Sequence, residues 1–317
     1  MDSHSIARHM LSFLKRAVLI LPEAAIGTVS FLLLIVNTLF WALSLFPLAG
    51  LKLVYKSRSR QDRCNAVLNR IGLNWIGCNN LILSATKRIK WHTKGIEGLN
   101  PNGWYLVISN HQTWVDILVL QKVFHRQVPF LKFFLKKELI WVPIMGLAWW
   151  ALEFPFMKRY SGEFLKRNPH LKGKDMEITR KACERFKRMP ISVMNFVEGT
   201  RFTAEKHERQ KAPFKHLLRP KAGGISFVLS AMGEQLTHIL NVTIVYPDGP
   251  KTFWKFLCTK ECSIYVNVEV IPITPDLIGD YENDARFKER IQAWINNLWF
   301  EKDLLVESFF RERKQAA

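Results

Sequence analysis

The sequence predicts an α/β fold, a mixed sheet flanked by helices, with a membrane-anchoring helical segment at the N-terminus. Three observations predict this fold. Residues 24–51 carry no charge, segments typical of strands alternate with segments typical of helices after residue 89, and 48% of the 317 residues are hydrophobic. Strands that alternate with helices indicate α/β architecture. A chain of this length and composition can bury a sizeable core beside an anchor, which excludes a disordered protein.

The anchor prediction rests on the uncharged run, which includes FLLLIVNTLFWALSLF. A helix needs about 20 apolar residues to cross a bilayer, and the run is too long for a secretory signal peptide. Basic residues flank it on both sides and are denser after it, which predicts a cytoplasmic (inner) membrane protein whose main domain faces the cytoplasm. Pro22, Gly27, Asn37 and Pro47 interrupt the run. A single spanning helix and two shorter re-entrant helices therefore both remain open.

The formal net charge of +19 indicates an anionic partner, which could be nucleic acid, acidic lipid or a phosphate-bearing substrate. We expect no nucleic acid, because the sequence has no zinc-finger spacing, no aromatic RNP-like strand and no Arg-rich helix. Basic charge beside an apolar anchor favours anionic lipid instead. The five cysteines are scattered, and Cys258 and Cys262 have no matching Cys or His pair nearby. We therefore expect reduced thiols and no metal.

The elements of the main domain follow from turn signals and hydrophobic periodicity. A cluster of turn residues at 100–103 separates the first two strand-like segments, 89–99 and 104–110. Residues 174–189 place their apolar side chains on one face, as an amphipathic helix does. The other strand-like segments are 129–133, 154–159, 191–197, 237–247 and 263–273. The other helix-like segments are 113–124, 221–233 and 287–299.

These segments divide the chain into four parts. We predict an anchor at 1–56, an amphipathic connector at 57–90, a main domain at 91–283, and a C-terminal amphipathic helix with a basic tail at 284–317. The uncharged segment 139–152 is too short to span a membrane. Its tryptophans favour a buried or interface-lying segment, with a core helix as the alternative.

His111 and Asp116 form the first candidate pair of functional residues. The spacing alone is weak, since His170 and Asp175 share it. On one regular element the two side chains would lie far apart, so they can meet only where the chain reverses. His111 follows an apolar strand and Asp116 opens an apolar helix, whereas His170 lies in a loop rich in Gly and Lys. The turn favours the first pair, although Asp116 with Thr113 also fits a helix cap, a compatible role.

The second candidate site is FVEGTRF, residues 196–202, directly after a β-branched strand. Gly199 lets the backbone approach a ligand closely. Thr200 offers a hydroxyl, and Arg201 offers a planar fork suited to phosphate. From these residues alone, a plain turn with a solvated ion pair between Glu198 and Arg201 is the alternative.

Taken together, these segments resemble the lysophosphatidic acid acyltransferase family of the glycerolipid acyltransferase superfamily. The resemblance is carried by Asn110-His111-x-x-Trp114-x-Asp116 and, downstream, by Phe196-x-Glu198-Gly199-Thr200-Arg201. FPFMKR at 154–159 and Val245-Tyr246-Pro247 resemble the second and fourth blocks of the family. Phe202 and Val197 depart from the serine and proline of many relatives. EGTRF is similar to the branch that contains less-characterised bacterial and lysocardiolipin-type members, so another lysophospholipid acceptor is the alternative.

The resemblance implies that residues 91–283 are an acyltransferase domain with 1-acylglycerol-3-phosphate O-acyltransferase activity. It would move an acyl chain from acyl-CoA or acyl carrier protein to the sn-2 hydroxyl of lysophosphatidate, giving phosphatidate. The general base would be His111, oriented by Asp116. We expect no cofactor and no metal, and the partners would be lysophospholipid, acyl thioester, the membrane and, as one candidate, acyl carrier protein. The implied substrate-binding residues are Arg159, Glu198, Gly199, Thr200, Arg201 and Lys221.

The chemistry of the residues fits these roles. A lysophospholipid hydroxyl is a poor nucleophile until a base removes its proton, and imidazole accepts protons near neutral pH. The departing thiolate needs little acid assistance, because the pKa of a thiol is about 8.5. No G-x-S-x-G elbow occurs, so we expect direct transfer without an acyl-enzyme. The alternatives are an acyltransferase for lysophosphatidylglycerol or lysocardiolipin, a thioester hydrolase, and a non-enzymatic membrane-bound anion binder.

Overall fold

The structure, a computed structural model, describes residues 18–157, 167, 183–184, 186–187 and 189–315. The chain divides into two compact units, each assembled from three segments. The first, here called the hairpin unit, comprises Met1–Thr93, Thr113–His125 and Val245–Val266. The second, the sheet unit, comprises Lys94–Gln112, Arg126–Ile244 and Asn267–Ala317.

The strands build a mixed sheet. Within the described residues they are Arg88–Lys94 (β1), Tyr105–Ser109 (β2), Leu131–Phe133 (β3), Leu135–Lys136 (β4), Phe156–Met157 (β5), Ser192–Phe196 (β6), His238–Val245 (β7) and Glu261–Pro272 (β8). The main sheet has the order β1-β8-β7-β2-β6-β3, while β4 and β5 form a separate pair. β2 is parallel to both β6 and β7, and β3 is parallel to β6. The N–H of Ile273 bonds the carbonyl of Thr237, and the side chain of Asn241 bonds Glu269, so β8 runs antiparallel to β7. The predicted mixed α/β fold is confirmed.

The helices lie before, between and after these strands. The described ones are Glu23–Val54 (α1), Arg58–Thr86 (α2), Val115–Val123 (α3), Met145–Ala151 (α4), Ala204–Gln210 (α5), Ala222–Met232 (α6), Phe253–Cys258 (α7) and Ala285–Gln315 (α8). α3, α6 and α8 fall where the sequence predicts helices, whereas α5 and α7 were not predicted. The predicted helix 174–189 lies largely outside the described residues. α8 begins after Asp284, whose Oδ1 accepts the N–H groups of Arg286 and Phe287 as an N-cap does.

α1 and α2 form a helical hairpin. Nδ2 of Asn37 donates to Oδ1 of Asn79 at 2.8 Å and to the carbonyl of Trp75 at 3.1 Å. α1 is continuous through Gly27, Asn37 and Pro47, so these residues do not divide it into two shorter helices. By length and composition α1 can cross a membrane, and outward side chains such as Leu43, 75% exposed, are apolar.

The core of the sheet unit lies around β2 and β6. All five residues of β2 are buried, as expected for a central strand with parallel neighbours on both sides. The apolar faces of α6 and α8 contribute to the same core, which includes Leu106, Ile108, Val193, Ile225, Leu229, Ile295 and Trp299.

The segment 139–152 is not a uniformly buried core helix. It is divided between a 3-10 turn, Lys137–Trp141, and α4. Trp141 is 84% exposed and Trp150 is 45% exposed, whereas Ala148 and Ala151 are buried. The segment therefore exposes apolar side chains on one side and buries small ones on the other, and its proposed place at a membrane interface stays a prediction.

Candidate active site

The ends of two parallel strands bring the two sequence motifs together in the sheet unit. Ser109, the last residue of β2, lies beside Phe196, the last residue of β6. The imidazole of His111 stacks on the ring of Phe196, with centroids 3.9 Å apart and planes 13° apart. The N–H of Phe202 donates to the carbonyl of His111 at 2.8 Å. His111 and the segment 196–202 therefore both lie at the carboxyl ends of parallel strands, which is where open α/β sheets commonly bind ligands.

The neighbours of His111 in the chain attach this turn to β7. Asn110 makes two bonds to Ile244: its Nδ2 donates to the carbonyl at 3.0 Å, and its Oδ1 accepts the N–H at 2.9 Å. Nε2 of Gln112 donates to the same carbonyl at 2.8 Å. The side chains on both sides of His111 thus hold its backbone, a role that the sequence did not predict for Asn110 or Gln112.

Asp116 lies in the hairpin unit, in the first turn of α3, and is fully buried. Its Oδ2 accepts the N–H of Thr113 at 2.9 Å, which is the cap that the sequence suggested. Its Oδ1 accepts the hydroxyl of Tyr246 at 2.6 Å. Burial and the negative charge of Asp116 raise the pKa of Tyr246 well above its ordinary value of 10.0, so the phenol remains a donor. Two donors therefore fix the orientation of the Asp116 carboxylate.

Glu198, Gly199, Thr200 and Arg201 form a tight turn after β6, called the EGTR loop below. Gly199 adopts a φ of 71°, a left-handed conformation that glycine tolerates best. The hydroxyl of Thr200 accepts Nζ of Lys206 at 2.8 Å, and the carbonyl of Arg201 accepts the same Nζ at 3.0 Å. The sequence did not single out Lys206. A sequence signal that could have found it is Thr203, whose hydroxyl accepts the N–H of Lys206 and caps α5, the helix that carries Lys206.

Lys221, which the resemblance implies as a substrate-binding residue, lies beside the EGTR loop. It is the N-cap of α6, and its N–H donates to the carbonyl of Val197 at 2.8 Å. Its Nζ lies 3.6 Å from the position that a Cβ on Gly199 would occupy. Glu198 is only 1% exposed, so the alternative of a solvated turn is wrong. Arg159, the remaining predicted residue, lies outside the described residues.

The loop and its surroundings contain cationic and hydroxyl groups. Arg201 and Lys221 are exposed cations, Thr200 carries a hydroxyl, and Gly199 leaves the backbone accessible. Charged donors of this kind form the strong hydrogen bonds that phosphate oxygens accept. Among the described residues, no group of three or more His, Cys, Asp and Glu side chains is arranged to hold a metal ion. The site therefore combines an imidazole with a turn that lies beside exposed cations.

Comparison with known proteins places these residues in a family. The model of the Acyltransferase family matches residues 90–247, which include both motifs. The human 1-acyl-sn-glycerol-3-phosphate acyltransferase delta is 24% identical over 219 residues, covering 65% of this chain and 53% of that protein. Lysocardiolipin acyltransferase 1 of Gallus gallus is 24% identical over 262 residues, covering 78% of this chain and 65% of that protein. An uncharacterised acyltransferase of Schizosaccharomyces pombe is 23% identical over 230 residues, covering 64% and 59% respectively.

The chain spans between 53% and 65% of the length of these three relatives. Among solved structures, the 1-acyl-sn-glycerophosphate acyltransferase of Thermotoga maritima matches with a TM-score of 0.49 at 16% identity, covering 86% of this chain and 94% of that chain. The family match covers about half of the chain and contains β2, α3, β6 and the EGTR loop. The chain belongs to the glycerolipid acyltransferase superfamily.

Proposed function

We propose that this protein transfers an acyl chain from a thioester to the hydroxyl of a lysophospholipid. The specific reaction proposed is acylation of the sn-2 hydroxyl of lysophosphatidate, which gives phosphatidate. The observation that supports it most directly is the position of His111 beside the EGTR loop: its ring stacks on Phe196 and its carbonyl accepts the N–H of Phe202. A base next to an anion site is what acylation of a phosphate-bearing alcohol requires.

His111 acts as the general base in this scheme. It removes the proton of the acceptor hydroxyl while the hydroxyl oxygen attacks the thioester carbonyl. The tetrahedral intermediate collapses, the carbon–sulfur bond breaks, and the thiolate leaves with the electron pair. The proton on His111 then neutralises the thiolate. Asp116, whose carboxylate is held by Thr113 and Tyr246, orients the imidazole and stabilises the imidazolium.

The EGTR loop binds the acceptor phosphate in this proposal. Arg201 and Lys221, together with Arg159, supply the positive charge, and Gly199 and Thr200 contribute backbone and hydroxyl groups. Glu198 is buried, so it stabilises the loop and is not the base. The donor is acyl-CoA or acyl carrier protein, and the scheme uses no cofactor and no metal.

The membrane supplies the acceptor in this proposal. α1 is long and apolar enough to hold the protein in a bilayer. The denser basic residues that follow it favour an inner-membrane protein whose catalytic residues face the cytoplasm. The net charge of +19 would attract the anionic lipid surface on which lysophosphatidate lies.

A different acceptor is the second candidate. Phe202 follows the EGTR loop where many relatives have serine, and the chain is as similar to a lysocardiolipin acyltransferase as to a 1-acyl-sn-glycerol-3-phosphate acyltransferase, at 24% identity to each. A lysophosphatidylglycerol or lysocardiolipin headgroup carries a phosphodiester, which presents one negative charge fewer to Arg201 and Lys221 than a phosphomonoester does.

The test is acyl transfer by the purified protein in detergent, with oleoyl-CoA and a panel of lysolipids. We expect transfer to lysophosphatidate. In His111→Ala we expect the rate of transfer to fall by a factor of about 100 or more. His92→Ala is the matched control, since His92 is exposed and stacks on Tyr265 in the hairpin unit. Preference for a diester acceptor would favour the second candidate. Release of free fatty acid without any acceptor, or full activity in His111→Ala, would contradict the proposal.

A further inference from the structure

The C-terminal helix α8 buries a lysine side chain in the sheet unit. Lys302 is 2% exposed. Its Nζ donates to the carbonyl of Val242 at 2.5 Å and to the hydroxyl of Thr243 at 3.2 Å, and it lies 4.8 Å from the centre of the Trp299 ring. Burying an ammonium group costs free energy unless acceptors and an opposite charge compensate it. Packing alone therefore does not explain why a lysine is buried at this position.

The opposite charge comes from the EGTR loop. Glu198 is buried, and its Oε1 accepts the indole N–H of Trp299 at 3.3 Å. The indole of Trp299 thus donates a hydrogen bond to Glu198 from its edge. Its face lies against the ammonium group of Lys302, which is the geometry of a cation–π interaction. Burial, the largest effect, lowers the pKa of Lys302 to about 7, and the negative charges of Glu198 and Glu269 partly oppose this shift. Lys302 and Glu198 are therefore electrostatically coupled.

α8 also forms hydrogen bonds with the part of the chain that follows the EGTR loop and leads into α6. Gln292 accepts the N–H of Ala222 at 3.2 Å and donates to the carbonyl of Pro220 at 3.0 Å, on either side of Lys221. Asp303 accepts the N–H groups of Lys215 and His216, at 2.8 and 2.7 Å. All of these α8 residues lie outside the region 90–247 that the family model matches. α8 is therefore attached to the loop and to the segment between the loop and α6.

We propose that Lys302 is a positioning residue for the acceptor phosphate. Through Trp299 and the charge of Glu198, it fixes the EGTR loop in the conformation that receives a phosphomonoester. The proposal rests on the proposed function of this loop as the phosphate site. Below a pH of about 7, where Lys302 carries its charge, replacing it takes a compensating cation away from the buried Glu198 carboxylate. Any shift of that carboxylate moves Gly199 and Arg201, which follow it in the chain.

The first measurement is binding without turnover. sn-Glycerol 3-phosphate, a soluble phosphomonoester, is titrated calorimetrically into the full chain in detergent micelles. In Lys302→Met we expect the Kd to rise about 10-fold, equivalent to about 1.4 kcal/mol. Trp299→Phe keeps a ring but removes the indole N–H, and we expect a rise in the same direction. It serves as the test if Lys302→Met does not fold. Val306→Ala, at a buried apolar position of the same helix, is the control for loss of packing.

Steady-state kinetics then separate positioning from a general loss of structure. We expect Lys302→Met to raise the KM for the lysolipid acceptor about 10-fold, with kcat and the KM for the thioester changed less than about 2-fold. An unchanged Kd in Lys302→Met, an equal rise in Val306→Ala, or a wild type that does not bind the phosphomonoester would overturn the positioning role. If the wild type transfers acyl chains but Lys302→Met binds the phosphomonoester as tightly as the wild type does, the positioning role is overturned and the proposed function stands. Phosphomonoester binding that depends on Lys302 without any acyl transfer would support positioning and contradict the proposed function.

Discussion

At the scale of single residues, Tyr246 illustrates a contact that local sequence does not predict. The segment Val245-Tyr246-Pro247 matches the family's fourth block, but nothing in that match assigns the phenol a partner. In the hairpin unit its hydroxyl donates to the buried carboxylate of Asp116 at 2.6 Å, although the two residues lie 130 positions apart. In the proposed mechanism this bond helps Asp116 to hold the His111 imidazole in the orientation that catalysis needs.

Removing that hydroxyl tests the role of Tyr246. We expect Tyr246→Phe to lower kcat about 10-fold, since one charge-assisted hydrogen bond to Asp116 is lost while the ring stays in place. The KM for the acceptor should change little, because the phosphate-binding loop is not altered. Tyr265→Phe, in the same unit, is the control. A kcat for Tyr246→Phe within about 2-fold of wild type would contradict a role of the Tyr246 hydroxyl in orienting Asp116.

At the scale of elements, the hairpin of α1 and α2 depends on polar groups between two helices. The sequence predicted an anchor and an amphipathic connector, and it treated Asn37 as an interruption of the apolar run. In the structure Asn37 is buried and bonds both Asn79 and the carbonyl of Trp75. An asparagine inside an apolar helix therefore attaches α1 to α2, as polar residues do between membrane helices.

A double-mutant cycle measures this attachment. We expect Asn37→Leu and Asn79→Leu each to destabilise the hairpin, with a coupling free energy of about 0.6–2 kcal/mol between them. The measurement is the free energy of unfolding in detergent micelles. Thr28→Val is the control, since the hydroxyl of Thr28 donates to the carbonyl of Ala24 within its own helix. Strictly additive effects of the two leucines would contradict a direct Asn37–Asn79 interaction.

At the scale of the whole molecule, buried lysines connect stability to pH. Burial lowers the pKa of Lys87, in the hairpin unit, to about 8 and that of Lys302, in the sheet unit, to about 7, from an ordinary value of 10.5. In the unfolded chain both lysines keep their protons to about pH 10. Between about pH 7 and pH 9 the unfolded chain thus binds more protons than the folded protein, and stability rises with pH.

The pH dependence of thermal unfolding checks this linkage. We expect the Tm to rise by at least about 3 °C from pH 7 to pH 9 at constant ionic strength. Above about pH 10 the trend should reverse, because the unfolded lysines then lose their protons. Burial raises the pKa of Cys183 to about 12, so the folded protein still retains a proton that the unfolded chain has released. Lys302→Met should flatten the rise. A Tm that falls between pH 7 and pH 9 would contradict the linkage.

The elements that the sequence predicted are those whose signal is local. The apolar run gave α1, periodicity gave α6 and α8, and alternating or β-branched runs gave β2, β6, β7 and β8. α5 and α7 were missed because each has only six or seven residues, too few for a hydrophobic period to emerge. The connector predicted at 57–90 was not recognised as the continuous helix α2, whose buried face carries Asn79 among apolar residues.

The sequence by itself determined the fold class, the apolar N-terminal helix and the residues of the proposed site, because motif spacing, periodicity and charge can be read from contiguous residues. Only the tertiary structure decided which distant groups hold those residues. Glu198 meets Trp299 across 101 positions, and Asn110 meets Ile244 across 134. Such pairs form because the sheet order and the packing of α8 bring remote backbone together, and no local pattern of residue types encodes that geometry.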